Sequence, residues 1–196
     1  MSNRRRIRWC FGLLAGALAL LVPGFPVPAQ EAAAPTGPAD PLALLKLLVG
    51  TWEGEIDGRL GTGKGIRRYQ LIMGDRYLLC RHLSVRVPQP KSPKGDQHEE
   101  LAVFSFDTER KAIVYREFMN EGPGIIIRSR CEVDGTRVVC NSEAVENGPG
   151  IRARLTLEIA DRYRFTEIYE IAWPGKELQH YFTNRWTRSP LPHHWD

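Results

Sequence analysis

The sequence IRARLTLEI at residues 151–159 alternates strictly between apolar and polar side chains. Successive side chains of a β-strand point to opposite faces, so this alternation predicts a strand with one buried and one solvated face. Nine similar runs surround it, near residues 51–57, 65–73, 76–87, 99–106, 111–119, 124–133, 137–146, 162–172 and 177–188. All linkers except residues 88–98 are short, which favours an antiparallel meander. Closure removes exposed edges, so we predict an all-β, ten-stranded antiparallel barrel, with a two-sheet sandwich as the alternative.

A short helix is predicted just before the first strand. Asp40 and Pro41 are typical of a helix start, leucines follow at helical spacing, and Gly50 ends the pattern. The direction of a meander then puts this helix at one end of the barrel, which we call the floor. The glycine-rich turns near residues 58–65, 122–124, 148–150 and 174–175 fall at the opposite end, the mouth, together with the 88–98 linker. We therefore expect the helix to plug the floor.

Residues 1–29 have the pattern of a signal peptide. Four arginines precede an apolar run at residues 9–22, and Val27-Pro28-Ala29 is typical of a cleavage site. The apolar run is short for a membrane span, so a retained anchor is the weaker alternative. We predict a periplasmic or secreted protein with no integral membrane segment after cleavage. Residues 30–39 are then a flexible linker, 40–190 the barrel domain and 191–196 a C-terminal tail.

The net charge argues against two classes of partner. The full chain has 27 Lys and Arg against 23 Asp and Glu, but four of the arginines lie in residues 1–29, which leaves 23 of each sign. Phosphate binding requires a clustered surplus of Lys and Arg. The sequence therefore predicts no nucleic-acid partner and gives no support for binding to an anionic membrane surface.

Cys131 and Cys140 flank a predicted hairpin. A four-residue turn at 134–137 places them directly opposite each other, whereas a two-residue turn at Asp134-Gly135 makes them diagonal neighbours. Export permits a disulfide between them, and buried free thiols are the alternative. Cys80 is then an unpaired, buried thiol.

Several short motifs resemble those of known barrels. Gly50-Thr51-Trp52 near the first strand and Trp186-Thr187-Arg188 in the last resemble the calycin-like barrels, which include lipocalins and fatty-acid-binding proteins. The motifs at residues 47–54, 104–107, 146–149 and 165–177 are similar to bacterial families of unknown function related to nitrobindin-like haem-binding barrels. Strand direction puts Trp52 and Arg188 together at the floor, where a guanidinium stacked on an indole would have a structural role.

The resemblance to haem-binding barrels implies a proximal histidine, and His180 on the last strand is the candidate ligand. Its alternation matches that of Phe182, so we expect both side chains to face the lumen. The motif of the haem-binding relatives is not reproduced around His180, and a histidine that is hydrogen-bonded within the barrel is the alternative. Haem is therefore a cofactor that the sequence neither requires nor excludes.

Other residues are candidates for lining a ligand cavity. If Cys131 faces Cys140, Ser129 meets Ser142 and Ile127 meets Ala144, and these small side chains leave space in the lumen. Arg116 alternates with apolar residues and could meet a ligand carboxylate, or it forms an outward salt bridge. Tyr169 belongs to an aromatic row that serves either as core or as a binding surface.

Motifs with defined chemistry are absent from the sequence. Residues 58–65 resemble a phosphate-binding loop, but Gly65 replaces the required Ser or Thr and a strand follows instead of a helix. Hydrolase, zinc-protease and dithiol signatures and other metal-ligand spacings do not occur. The sequence thus favours a binding protein that sequesters or carries a small hydrophobic molecule. Haem binding through His180, an envelope protein-interaction module and an enzyme that uses the same lumen are the alternatives.

Overall fold

A computed structural model describes residues 40–190. The predicted signal peptide, linker and C-terminal tail lie outside the described residues. Within the described range the elements are one short helix and ten strands: α1 (Ala43–Lys46), β1 (Gly50–Gly58), β2 (Gly61–Ile72), β3 (Tyr77–Arg86), β4 (Asp96–Asp107), β5 (Ala112–Met119), β6 (Ile125–Asp134), β7 (Arg137–Glu146), β8 (Arg152–Ile159), β9 (Arg164–Ala172) and β10 (Gln179–Arg188).

The strands form a closed antiparallel barrel in which each strand pairs with its neighbours in sequence and β1 pairs with β10. The closing register sets Trp52 opposite Arg188 and Gly54 opposite Trp186. A closed barrel has no edge strand with unpaired backbone groups. The predicted all-β meander barrel is confirmed, and the sandwich alternative is excluded.

The floor end of the lumen is filled with apolar side chains. Leu42, Leu45 and Leu48, from α1 and its flanks, are buried in the same cluster as Trp52 and Phe165. The rings of Trp52 and Phe165 meet edge to face, with centroids 4.8 Å apart. Burial of this apolar area stabilises the barrel, and these side chains pack together at its floor end.

Arg188, at the end of β10, forms hydrogen bonds with the segment that follows α1. Its guanidinium lies 4.4 Å from the centre of the Trp52 ring and donates hydrogen bonds to the backbone carbonyls of Val49, Leu47 and Arg162. The Trp52 indole in turn donates to the carbonyl of Leu48 at 2.7 Å. These contacts place Trp52 and Arg188 at the floor, where the sequence analysis expected them.

The hairpin between β6 and β7 sets Cys131 opposite Cys140, and a disulfide joins them. Ser129 then faces Ser142, but the register shifts by one residue between Arg128 and Ser129. Because of this bulge Ile127 pairs with Val145, and the predicted pairing of Ile127 with Ala144 is wrong. Cys80 is a buried free thiol.

The glycines of β1 and β2 allow strands where the sequence analysis placed a loop. The predicted 58–65 turn is reduced to residues 59 and 60, and β2 starts at Gly61, whose φ of +102° lies in a region that favours glycine. A Cβ atom on Gly54 would lie 2.5 Å from the Trp186 ring. The absence of that atom lets the indole lie flat against the backbone of β1.

No helix in residues 40–190 is long and apolar enough to cross a membrane.

Candidate functional site

The mouth end of the lumen contains a cavity of about 220 Å³. Side chains from eight of the ten strands, all except β2 and β7, form its wall together with residues of the loops at this end. The apolar part of the wall includes Ile56, Met119, Ile125, Ile127, Ala153, Ile171, Trp173 and Phe182. The rings of Tyr169 and Phe182 stack at 5.0 Å on one side. Two of the predicted ligand residues, Tyr169 and Phe182, thus lie together on the cavity wall.

The bottom of the cavity is polar, because charged side chains replace apolar ones at inward positions in the middle of several strands. Arg67 of β2, His82 of β3, Glu100 of β4 and Glu167 of β9 are all buried and in contact; we call these four residues the Arg67 cluster. His82 and Glu100 line the cavity, whereas Arg67 and Glu167 lie beneath it.

Arg67 is the centre of this cluster. Its Nη1 donates to Oε1 of Glu167 at 2.6 Å, and its Nη2 lies 3.3 Å from Oε2 of Glu100 and 3.0 Å from Nδ1 of His82. The guanidinium also lies 4.7 Å from the centre of the Trp186 ring. One cation thus balances two buried carboxylates, and the ring gives it a further electrostatic contact.

The two carboxylates of the cluster have further donors. Oε2 of Glu167 accepts hydrogen bonds from Asn184 at 2.9 Å and from the Trp186 indole at 3.1 Å. Oε1 of Glu100 accepts one from the Tyr115 hydroxyl at 3.0 Å. Burial alone would raise the pKa of Glu100, but Arg67 and the hydrogen bonds from the histidines hold it well below the usual range. Glu100 is therefore ionised.

His82 and His98 lie close together but differ in charge. Burial, with Arg67 beside it, lowers the pKa of His82 to about 4, so His82 is neutral. Burial would also lower the pKa of His98, but hydrogen bonds to Glu100 and Glu121 outweigh it and raise that pKa to about 10. His98 is therefore a cation at neutral pH. It lies on β4 rather than in the loop where the sequence analysis placed it.

Glu117 of β5 completes the polar surface. Its side chain is buried, lines the cavity and accepts a hydrogen bond at Oε2 from the Tyr169 hydroxyl at 3.2 Å. Burial, together with the charges of Glu100 and Glu167, raises its pKa well above the usual range. Its surroundings therefore favour the protonated, neutral form of Glu117.

One set of side chains has a spacing suited to a metal ion. A ring nitrogen each from His82 and His98 and an oxygen of Glu100 lie within 4.8 Å of one another. The Arg67 guanidinium, however, already contacts both His82 and Glu100. A second cation between them would be repelled by that fixed charge, so the cluster does not fit a metal.

Four of the residues predicted from the sequence do not reach this cavity. The predicted inward orientation of His180 is wrong: a register shift between His180 and Phe182 turns the histidine outward, where it is exposed and hydrogen-bonded to Thr183 at 2.8 Å. Arg116 also points outward and donates to Ser105, which leaves it away from any ligand in the lumen. Ser129 is buried but not on the cavity wall, and the Ser142 hydroxyl accepts a hydrogen bond from the backbone of Ala153.

Haem does not fit this arrangement. The histidine that the resemblance implied is outside the lumen, and the cavity is smaller than the about 300–1,000 Å³ of pockets that enclose drug-sized ligands. Of the lumenal histidines, His82 contacts Arg67 through Nδ1, and His98 is held between two carboxylates. His98 is a cation and therefore not an iron ligand, and the cavity beside the neutral ring of His82 is too small for a porphyrin.

Comparison with solved structures supports the barrel fold. The crystal structure of Rv2717c from M. tuberculosis aligns with a TM-score of 0.57 and 15% sequence identity, over 76% of this chain and 96% of that chain. The structure of EF1p2_mFAP2b bound to DFHBI aligns with a TM-score of 0.34 and 13% identity, over 74% of this chain and 97% of that chain. The first likeness shows a shared calycin-like barrel fold, and the second is too low to support any conclusion.

No known protein-family profile matches the chain. No curated protein matches it either.

Proposed function

We propose that this protein is an exported binding barrel that sequesters or carries a small, mainly apolar molecule in the mouth cavity. The observation that carries the proposal is the division of the lumen: the floor is filled, whereas the mouth holds about 220 Å³ of space with apolar walls and a polar bottom. Binding pockets typically combine apolar walls with a few convergent polar groups. The periplasmic or secreted location rests on the signal-peptide pattern of residues 1–29.

The cavity dimensions restrict the ligand. At about 220 Å³ it accepts a molecule of roughly one aromatic ring with a short substituent, below the size of drug-like ligands. Tyr169 and Phe182 offer a stacked aromatic pair on one side, and isoleucine side chains offer branched apolar surface on the other. A compact aromatic body is complementary to both surfaces.

A cavity-filling variant tests the proposal. Ala153 lies on the cavity wall, so Ala153→Leu places three additional carbon atoms in the ligand volume. Binding of indole to the purified full chain is measured by titration calorimetry. We expect the affinity to fall at least about tenfold in this variant, because a clash with a single methylene group in an apolar pocket already changes affinity by about that factor. The matched control is Ala144→Leu, at an exposed position on β7.

Unchanged indole binding in Ala153→Leu, or an equal loss in Ala144→Leu, would contradict binding in the cavity. A protein-interaction module and an enzyme remain alternatives without a specific supporting contact in residues 40–190. The lumen does not fit haem.

A further inference from the structure

The cavity wall has more acidic than basic side chains, and not every acidic side chain is paired with a cation. Four acidic residues line it, Asp96, Glu100, Glu117 and Glu121, against two cations, Arg86 and His98. Arg86 pairs with Asp96 at 3.0 Å, and His98 lies between Glu100 and Glu121. Glu100 has Arg67 as a further partner. Within residues 40–190, Glu117 is thus the one acidic side chain of the cavity wall that has no cation within ion-pair distance.

The position of Glu117 points to a ligand. The hydrogen bond from Tyr169 reaches one carboxyl oxygen, and Glu117 itself lines the cavity although its side chain is almost completely buried. A buried carboxyl group that is left without a charged partner costs free energy. Natural proteins tolerate such a cost mainly at functional sites, where a ligand completes the pairing.

The surroundings of Glu117 favour a positively charged group. The Tyr169 hydroxyl donates a hydrogen bond to Glu117, and the Tyr169 ring stacks on that of Phe182. An ammonium group beside the carboxylate is therefore also close to two aromatic rings. An added anion would instead meet an excess of acidic side chains. The apolar walls above this position are suited to the rest of the molecule.

We propose that the cavity binds a small aromatic amine, with its ammonium group paired to the carboxylate of Glu117 and its ring packed against Tyr169 and Phe182. This inference rests on the proposed function, since it names the class of ligand for the same cavity. It also assigns Glu117 as the residue that distinguishes amines from neutral molecules of the same shape.

Ion pairing at Glu117 requires a proton to leave. Burial and the neighbouring carboxylates favour a protonated Glu117 in the free protein, and the amine arrives as an ammonium ion at neutral pH. Formation of the carboxylate–ammonium pair breaks the O–H bond of Glu117 and releases one proton to the solvent. The other titratable or charged groups whose fields act on Glu117 are Glu100 and His98 of β4, Glu167 and Tyr169 of β9, and Arg67 of β2.

The experiment uses three probes on the purified full chain at pH 7: 2-phenylethylamine, the neutral isostere 2-phenylethanol, and the anion 3-phenylpropanoate. Calorimetry in two buffers of different ionisation enthalpy gives the number of protons released on binding. We expect the amine to bind most tightly, with release of about one proton, the alcohol to bind more weakly with none, and the anion to bind weakest.

Glu117→Gln keeps the size of the side chain and removes its charge. We expect the affinity for 2-phenylethylamine to fall at least about 30-fold, because the ammonium group loses its buried partner, and proton release to disappear. The affinity for 2-phenylethanol should stay within about twofold. Glu99→Gln is the matched control, since it removes the same charge at an exposed position on β4.

The outcomes separate the two proposals. Binding of 2-phenylethanol as tightly as the amine, amine binding without proton release, or equal amine affinity in Glu117→Gln and the unaltered protein would each overturn the amine inference while leaving a ligand cavity in place. Failure of all three probes to bind, together with failure of indole, would overturn the proposed function as well.

Discussion

The floor and the mouth of this barrel are built from the same ten strands but hold different side chains. At the floor, Trp52, Phe165 and the leucines around α1 fill the lumen. At the mouth, the inward-facing positions of the strands include His82, Glu100 and Glu117, which lie around an open cavity. The alternation of each strand determines which side chains point inward, and only their chemistry changes along the barrel axis.

The Arg67 cluster forms part of the bottom of the cavity and lies between the two ends. Its members are buried, yet each charged group has an oppositely charged partner, and neutral side chains donate further hydrogen bonds to Glu100 and Glu167. Replacement of such a network by apolar residues is often neutral for stability, whereas removal of one partner is costly. The net contribution of the cluster to stability is therefore expected to be small compared with the cost of breaking it, and its place in the molecule is that of a support for the bottom of the cavity.

The largest expected effect comes from Arg67→Met. This change leaves Glu100 and Glu167 buried without their shared cation, and the free energy of unfolding should fall by about 3–5 kcal/mol. Urea denaturation followed by tryptophan fluorescence measures it. Arg68→Met is the control, because Arg68 is exposed on the same strand and should change stability by less than about 0.5 kcal/mol. Equal effects of the two variants would mean that the cluster is not an interacting unit.

A second pair of variants compares the apolar side chains of the two ends. Leu78 near the start of β3 is completely buried in the floor cluster, so Leu78→Ala should cost about 2–5 kcal/mol through lost burial and a new void. Ile171 on the cavity wall is only partly buried, and Ile171→Ala should cost clearly less because it enlarges a cavity that already exists. The same denaturation assay checks both.

A larger loss of stability for Ile171→Ala than for Leu78→Ala would contradict the division into a packed floor and an open mouth. The ligand assay adds an independent measurement: Ile171→Ala should weaken indole binding, whereas Leu78→Ala, if folded, should leave it nearly unchanged.

The strands and their order could be predicted from the sequence because each inward apolar residue is followed by an outward polar one. The alternation at residues 151–159 shows this, since Ala153, Leu155 and Ile159 are all buried inside the barrel. The short turns then allowed only an antiparallel meander. The hairpin of Cys131 and Cys140 could be predicted in the same way, but two turn lengths stayed open, and the structure has the register that sets the two cysteines directly opposite each other.

The polar part of the site could not be predicted, because it breaks the rule that found the strands. In β5 the neighbours Arg116 and Glu117 are both charged, and apolar residues occur on both faces, so alternation gave no means of choosing the inward residue. The sequence left Arg116 open between a lumenal and an outward position; in the structure Arg116 is outward and Glu117 lines the cavity. Glu117 lies two residues after Tyr115 and therefore on the same face of β5, and this was the one feature of the sequence that could have indicated its inward position.

Bulges were the second obstacle. A shift of one residue in register moves every following side chain to the other face, and no local feature of the sequence marks where it occurs. The irregularity between His180 and Phe182 moved the histidine out of the lumen, and the one between Arg128 and Ser129 changed the partner of Ile127. Both irregularities fall in strands that border the mouth cavity.

The smallest effect is expected from Glu117→Gln, and the size of its stabilisation depends on pH. The pKa of Glu117 is raised in the folded protein by burial and by Glu100 and Glu167. Below the ordinary pKa of about 4.5 the group is protonated in both states, so it costs the folded state nothing through ionisation. As pH rises above that value, the unfolded chain ionises while the folded protein keeps the proton, and the free energy of unfolding falls. Glutamine removes this penalty.

Unfolding curves at pH 4 and pH 8 therefore distinguish Glu117 from the carboxylates of the Arg67 cluster. Glu117→Gln should be more stable than the unaltered protein at pH 8 and nearly equal to it at pH 4. The lowered pKa of Glu100 predicts the opposite slope for that residue, because its contribution is present above the ordinary pKa and lost as pH falls below it. If Glu117→Gln were destabilising at pH 8, Glu117 would be an ionised member of the supporting cluster, and the cavity would have no carboxyl group left to receive an amine.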